Sequence, residues 1–283
     1  MNTERFESLH VTLSPGGKVA LLRFDHGKAN EMGSQQLKEL EWLVDELQHS
    51  DSIVGLVSWS ERRSSKGTPI FVAGANVTER VGWEDDRVKQ HVRWQREVLA
   101  SLKAAPVFHV CVVGGVAFGW GTEFLLTADY RIAHPGARFA LPETGLGILP
   151  GAGGTSDLWA HVGVAHTLRL GMTGEAIGPD EAMRLGLVQE NATDFEQGMT
   201  RARELTELAS RRSPTAIAAF KRSVLAAVGR APQEREALEA IAYEHCVDSG
   251  QAAIGRAHFA EIRAGEVPPW GVRVPLGGGD ASS

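Results

Sequence analysis

Three runs of β-favouring apolar residues alternate with helical patterns early in the chain, and this alternation constrains the fold more than any other feature. The runs are VALLRF at 19–24, IVGLVSW at 53–59 and VFHVCVV at 107–113. The third is apolar throughout, as expected of a parallel strand that is buried on both faces. The pattern predicts an α/β fold in which helices pack against a parallel sheet. Between the runs, apolar residues recur at helical spacing, at Leu37, Leu40, Val44 and Leu47 and at Val88, Val92, Leu99 and Leu102.

The last third of the chain consists mostly of helix formers. Ser213 followed by Pro214 is a strong start signal, because it combines a capping residue with proline at the first helical position. We therefore predict an α/β core over residues 1–200 and a helical subdomain over 201–270. Residues 271–283 end in LGGGDASS, have little to bury and are predicted to be a disordered tail. The predicted helices of this part lie near 194–212, 214–228, 233–248 and 251–264.

Composition and charge exclude several classes of protein. The chain has 283 residues, 43% apolar and 23% charged, with a net charge of −6, so it can bury a full core and is not expected to attract nucleic acid. Its two cysteines, Cys111 and Cys246, cannot form a disulfide framework. No apolar run reaches the length of a membrane span, and the ten histidines lack paired metal-ligand spacing. We expect a cytoplasmic protein with no metal and no membrane partner.

The short motifs of several enzyme classes are absent from the sequence. It has no G-x-x-x-x-G-K-[ST] phosphate loop, no G-x-S-x-G nucleophile turn, no H-E-x-x-H zinc helix and no G-x-G-x-x-G after a strand. What remains is a concentration of glycine and carboxylate between residues 67 and 155.

Two glycine-rich segments in this region follow apolar runs, and their backbone N–H groups are candidates for binding a ligand. The segment FVAGAN at 71–76 lets a backbone approach a ligand closely, although a tight turn with Asn76 capping a helix explains it as well. The segment GGVAFGWGTE at 114–123 precedes a helical pattern, where unpaired N–H groups stabilise negative charge. Glu123 then lies in the first helical turn, where an acid also simply complements the helix dipole.

A second carboxylate follows a short predicted strand. Glu143 precedes the glycine-rich, otherwise apolar loop GLGILPGAGG at 145–154. Burial among apolar neighbours disfavours the charged form of a carboxyl and raises its pKa. Glu123 and Glu143 beside a set of backbone donors therefore suit general acid–base catalysis.

Taken together and in this order, these segments resemble the crotonase superfamily, the enoyl-CoA hydratase/isomerase fold. The resemblance implies a spiral of ββα units followed by a helical carboxy-terminal subdomain. It is carried by GKAN at 27–30, AGAN at 73–76, the glycine run that ends at Glu123, LPE at 141–143, PGAGGT at 150–155, MTG at 172–174 and LGLV at 185–188.

The resemblance also implies a reaction. The N–H groups of Ala75 and Trp120 would hold the carbonyl oxygen of an acyl-CoA thioester in an oxyanion hole. Glu123 would deprotonate a water, Glu143 would donate a proton to the α-carbon, and the N–H of Gly151 would help to position that water. Water would thus be added across the double bond of an enoyl-CoA.

The same resemblance suggests how coenzyme A is held. Lys28, Ala73, Phe259 and Arg263 would bind it, the last two across a subunit boundary. The chain would be a homotrimer or a dimer of trimers without a prosthetic group, and Asp129 is interpreted as structural.

Two departures from the family pattern leave alternatives open. Trp120 stands where most hydratases have glycine, and its indole must either line or fill the acyl pocket; Asn76 replaces the usual aspartate. An isomerase, a decarboxylase or a carbon–carbon bond hydrolase would use the same oxyanion hole. A thioester on an acyl-carrier protein is a further possible substrate. If the indole closes the pocket, a non-catalytic acyl-CoA-binding or assembly protein is the alternative.

Overall fold

The computed structural model describes residues 3–276 and contains two sheets. The larger sheet has six strands in the order β1-β2-β3-β5-β7-β9, and the smaller has three in the order β4-β6-β8. Only the β1/β2 pair is antiparallel. The strands are β1 Leu9–Leu13, β2 Val19–Phe24, β3 Gly55–Trp59, β4 Ile70–Val72, β5 Phe108–Val113, β6 Val116–Phe118, β7 Tyr130–Ala133, β8 Arg138–Ala140 and β9 Glu190–Asn191.

Ten α-helices complete the described part of the chain. The predicted helix over 251–264 divides in two at His258, and the first helix starts after Gly33 rather than being capped by Ser34. The Ser213 cap is confirmed, since its side chain accepts a hydrogen bond from the N–H of Ala216 at 3.1 Å. The helices are α1 Ser34–His49, α2 Asp85–Ala104, α3 Trp120–Leu125, α4 Leu158–Thr173, α5 Pro179–Leu185, α6 Phe195–Ser210, α7 Pro214–Ala227, α8 Pro232–Asp248, α9 Gln251–Ala257 and α10 Phe259–Arg263.

Successive strands alternate between the two sheets, which produces the ββα spiral. The chain passes from β3 to β4, from β5 to β6 and from β7 to β8, and each pair is followed by a helix: α2, α3 and α4 respectively. This confirms the predicted α/β fold. Phe24, Phe71 and Phe124 meet edge-on between the sheets, with Phe24 ring centroids 5.5 and 5.1 Å from the other two. The geometry brings the ends of β4, β6 and β8 together, and the segments after those strands are the glycine-rich ones.

Helix α6 spans the predicted division between core and helical subdomain. Residue 200 lies inside α6, and Met199 and Ala202 on that helix pack against Val112 and Ile132 of the large sheet. Since α6 shares the core of the sheet, we place the division after Ser210.

A pair of charges joins the helical subdomain to the core. The carboxylate of Asp129 accepts hydrogen bonds from the N–H of His109 and from Lys221 Nζ, both at 2.8 Å. Lys221 on α7 also donates to the carbonyl of Val107 at 2.9 Å. These contacts agree with the interpretation of Asp129 as structural.

The carboxy-terminal segment is anchored further along than predicted. Arg273 is buried, and its guanidinium donates to four backbone carbonyls, of Leu47, Gln48, Ile53 and Pro106, at 2.8–3.2 Å. Residues 271–276 therefore belong to the fold instead of the predicted tail, and the remainder of that prediction, 277–283, lies outside the described residues. Within residues 3–276, no helix is both long and apolar enough to cross a bilayer.

The Arg273 anchor yields a stability prediction. Arg273→Ala leaves buried carbonyls without donors, and a hydrogen bond to a charged group contributes about 1.5–3 kcal/mol. We expect the free energy of unfolding in urea to fall by about 2 kcal/mol or more. The matched control is Arg230→Ala, which removes an exposed arginine 3.6 Å from Glu234 and should change stability by less than about 1 kcal/mol. Equal unfolding midpoints for the two variants would contradict the role of Arg273.

Candidate active site

Glu123 is a buried carboxylate that is held by backbone amides. It lies in the first turn of α3, 3% exposed. Its Oε1 accepts hydrogen bonds from the N–H of Ala152 at 2.7 Å and of Gly154 at 2.8 Å. Burial raises the pKa of Glu123, while these two bonds and the charge of Arg96 oppose that rise. The glycine-rich loop after β8 is thus folded around this side chain.

Glu143 is the second carboxyl, and its surroundings differ from those of Glu123. It lies in a short 3₁₀ helix over Pro142–Leu146 that follows β8. Its Oε2 is buried and has no hydrogen-bond partner in residues 3–276. Burial, reinforced by the charge of Glu123, raises the pKa of Glu143 to about 7. A Cβ at residue 119 would overlap Glu143 Oε1, so this approach depends on Gly119, whose φ is +52°.

A cleft of about 730 Å³ joins the two glutamates to most of the other predicted site residues. It is bounded by α2, by the start of α3 and by the loop after β8. The predicted residues that line it are Ala73, Ala75, Trp120, Glu123, Glu143 and Gly151.

Two backbone N–H groups at this cleft are free. Trp120 is the first residue of α3, a position whose N–H has no acceptor within the helix. Ala75 forms a β-bridge with Met32, in which Met32 donates to Gly74 and Asn76 donates to Met32. Neither Ala75 nor Trp120 donates a backbone hydrogen bond to a described residue. These are the two amides that the sequence predicts for the oxyanion hole.

The Trp120 indole lies in the wall of the cleft and leaves it open. The side chain is 2% exposed and stacks on Phe124 with ring centroids 5.6 Å apart. It belongs to the hydrophobic core between the sheets, and the cavity of about 730 Å³ persists beside it.

Three of the predicted coenzyme-binding residues lie apart from the cleft within this chain. Lys28 is exposed in the turn next to Ala29, whose carbonyl accepts from the N–H of Ala73 at 3.1 Å. Phe259 on α10 is 62% exposed, and Arg263 is exposed as well. Neither lines the cavity that holds the glutamates, so a contribution from them requires a second subunit.

Several residues of the site were not predicted from the sequence. Arg96 on α2 donates from Nε to the carbonyl of Gly151 at 2.9 Å, and Ala152 and Gly154 supply the amides for Glu123. The glycines of PGAGGT are the signal that pointed to such a loop. Arg80 and Gln95 also line the cleft, but a helical pattern does not reveal which polar residues face a ligand. No group of three or more potential metal ligands occurs within the described range.

Comparison with known proteins assigns the family. The family profile described as Enoyl-CoA hydratase/isomerase matches residues 17–270. The chain belongs to this family. The predicted membership of the crotonase superfamily, to which the enoyl-CoA hydratases belong, is thereby confirmed.

Individual relatives agree with this assignment. The short-chain-enoyl-CoA hydratase of Clostridium acetobutylicum is 31% identical over 216 residues, covering 76% of this chain and 80% of that protein. The putative enoyl-CoA hydratase/isomerase YngF of Bacillus subtilis is 31% identical over 235 residues, covering 83% and 88%. The crystal structure of an enoyl-CoA hydratase from Bacillus anthracis superposes with a TM-score of 0.84 at 25% identity, covering 94% and 99%.

The Glu123–Glu143 pair yields a prediction about protonation. Glu123→Gln removes a neighbouring negative charge, so the pKa of Glu143 should fall from about 7 but stay above its ordinary value because burial remains. Carboxyl titration by ¹³C NMR of glutamate-labelled protein measures this. Glu175→Gln, a surface change whose carboxylate lies 3.9 Å from Arg169, is the control and should leave the titration unchanged. A Glu143 pKa that does not respond to Glu123→Gln would contradict the coupling.

Proposed function

We propose that this chain is a hydratase that adds water across the double bond of an enoyl-CoA. The observation that carries the proposal is the presence, in one cleft, of two carboxyls with raised pKa and two free backbone N–H groups. This combination supplies what the reaction needs: donors for a developing enolate and a pair of groups to move protons.

The free amides would bind the thioester. The carbonyl oxygen would accept hydrogen bonds from the N–H groups of Ala75 and Trp120, and these bonds strengthen as negative charge moves onto that oxygen. One such donor contributes about 10²–10³ in rate. Trp120 stands where most hydratases have glycine, but it would act here through its backbone. The N–H donor is therefore present with either residue.

The different environments of the two glutamates support different roles for them. Two N–H bonds and the charge of Arg96 favour the ionised form of Glu123, whereas Glu143 Oε2 has no donor in the described chain. The proton of the pair would therefore reside on Glu143. Glu123 would take a proton from water as the water oxygen bonds to the β-carbon. Glu143 would give its proton to the α-carbon. The N–H of Gly151 would hold the water between them.

Coenzyme A would be bound partly by a neighbouring subunit. Ala73 lines the cleft, and Lys28 would reach the nucleotide from outside it. Phe259 and Arg263 would come from the next chain of a trimer or a dimer of trimers. An apolar groove of about 730 Å³ between α7 and α8 supports such a contact. Phe220 and Tyr243, which line it, are each 72% exposed.

Double-bond isomerisation is the second candidate, and a pKa of about 7 for Glu143 supports it, because both forms of the carboxyl are then accessible near neutral pH. A single carboxyl with a pKa of about 7 can remove a proton from one carbon of an enoyl chain and return it to another. Glu123 would then be dispensable. The open cavity beside Trp120 argues against a purely non-catalytic acyl-CoA-binding protein.

The test compares wild type with Glu123→Gln and Glu143→Gln on a panel of 2-enoyl-CoAs, following the loss of the conjugated thioester absorbance. We expect each variant to lose about 10²–10⁴ in kcat, the usual contribution of a general acid or base. Both variants should retain affinity for coenzyme A by calorimetry. Glu175→Gln again serves as the control and should hydrate at the wild-type rate.

The outcomes separate the two candidates. Loss of activity only in Glu143→Gln, with 3-enoyl-CoA converted to 2-enoyl-CoA, would favour the isomerase. Wild-type protein that binds coenzyme A but hydrates no member of the panel would reject the hydratase.

A further inference from the structure

One wall of the cleft carries an arginine–glutamine pair that the proposed reaction does not use. Val88, Val92, Gln95 and Arg96 lie on one face of α2, and all four line the cavity. Arg80 is the last residue of the 3₁₀ helix over Val77–Arg80 and lines the same cavity. Its Nη2 donates a hydrogen bond to Gln95 Oε1 at 3.2 Å.

Gln95 is buried, Arg80 is half-buried, and each has a side-chain donor without an acceptor among the described residues. Gln95 is 3% exposed, and its Nε2 has no hydrogen-bond partner in residues 3–276. Arg80 Nε is likewise buried without a partner in that range. A buried donor without an acceptor is unfavourable, so an acceptor that entered the cleft beside Arg80 and Gln95 would be stabilised by this pair.

The charge of Arg80 is only partly compensated within the described chain. Burial lowers the pKa of its guanidinium, and Glu79 provides the opposing charge. Glu79 is nevertheless engaged elsewhere, because its Oε2 accepts the N–H of Ser34 at 2.8 Å. Arg80 forms no ion pair with a carboxylate among the described residues. A half-buried cation of this kind would be stabilised by an anion that approaches through the cleft.

The other cations of the cleft are different. Lys89, Arg93 and Arg96 are exposed and solvated, and Arg96 Nε is occupied by the carbonyl of Gly151. Arg80 is thus the cation in this cavity that is partly withdrawn from water.

The position of the pair relates it to the acyl group. Gln95 is adjacent to Arg96, which donates a hydrogen bond to the carbonyl of Gly151. This bond holds that part of α2 against the loop whose amides bind Glu123. A Cβ at Gly151 would lie 2.7 Å from Val92 Cγ1, so the α2 wall is packed against that loop. If the thioester carbonyl binds at Ala75 and Trp120, an acyl chain that passes the glutamates would run along this wall, since all of these residues line one cleft.

We propose that Arg80 and Gln95 form a subsite for a second carboxylate at the far end of the acyl chain. The proposal rests on the proposed function and names its substrate class: enoyl thioesters of dicarboxylic acids. A guanidinium presents several N–H donors in a fork that matches the two oxygens of a carboxylate. The Gln95 amide adds a donor, and the carboxylate neutralises Arg80, which a hydroxyl or an alkyl end does not.

Calorimetry with saturated thioesters tests the subsite without requiring turnover. Adipoyl-CoA has a free terminal carboxylate, its monomethyl ester has the same chain without the charge, and hexanoyl-CoA has a plain alkyl end. We expect wild type to bind adipoyl-CoA more tightly than either of the others by about 10- to 100-fold, as a charged hydrogen bond implies. Arg80→Met should abolish this preference and leave the affinity for hexanoyl-CoA unchanged or improved.

Two further variants sharpen the test. Arg93→Met removes an exposed arginine from the same cleft and should keep the preference for adipoyl-CoA, which separates a specific subsite from general attraction. Gln95→Glu places a fixed carboxylate beside Arg80 and should reverse the preference toward the neutral chains. That variant retains Arg80, so it tests the proposal even if Arg80→Met fails to fold.

Each outcome has a distinct meaning. Equal affinity for adipoyl-CoA and its ester in wild type would overturn the subsite, as would a preference that survives both Arg80→Met and Gln95→Glu. A loss of affinity for coenzyme A itself in Arg80→Met would also overturn it, because the arginine would then bind the nucleotide phosphates. Hydration of 2-hexenedioyl-CoA and 2-hexenoyl-CoA is measured in parallel. If neither is hydrated but the binding preference holds, the proposed hydratase fails while the subsite stands.

Discussion

The burial of the Glu123 carboxylate on two backbone amides is the interaction around which the rest of the site is arranged. A charge at this depth is tolerated only when hydrogen bonds replace its water, and here Ala152 and Gly154 provide them. The loop must therefore present amides instead of side chains. Gly154 permits this, because a Cβ there would lie 3.2 Å from Glu123 Oε1 and would overlap Pro150. One carboxylate thus fixes the loop after β8 against the start of α3.

The same arrangement makes the two glutamates unequal. Glu123 receives hydrogen bonds from fixed donors, while Glu143 receives none on Oε2 and feels the charge of Glu123. Two neighbouring carboxyls titrate as a coupled pair, and the difference in their donors favours the proton on Glu143. In the proposed reaction, a base and an acid would thus be obtained from the same residue type, and the backbone would make the distinction between them.

The sequence predicts the parts of this molecule that depend on local pattern. The apolar runs at 19–24 and 107–113 place strands, and the order of the glycine-rich segments places Glu123 and Glu143 in one cleft. Contacts between distant segments leave no such pattern. Arg273 donates to carbonyls of residues more than 160 positions earlier in the chain. The local sequence around Arg273 therefore does not indicate that this side chain is buried. Lys28, Phe259 and Arg263, taken from family resemblance, stay apart from the cleft in the single chain.

Trp120 shows why chemistry and specificity separate in this fold. Its contribution to the proposed oxyanion hole would be a backbone N–H, which does not depend on the side chain, and the indole packs on Phe124. The reacting end of the cleft is defined by backbone amides at Ala75, Trp120, Ala152 and Gly154. The α2 wall, by contrast, is defined by side chains, of which Arg80 and Gln95 carry unsatisfied donors. Substitutions on α2 and on the 3₁₀ helix before it would therefore alter this wall of the cleft and leave the amides and glutamates in place.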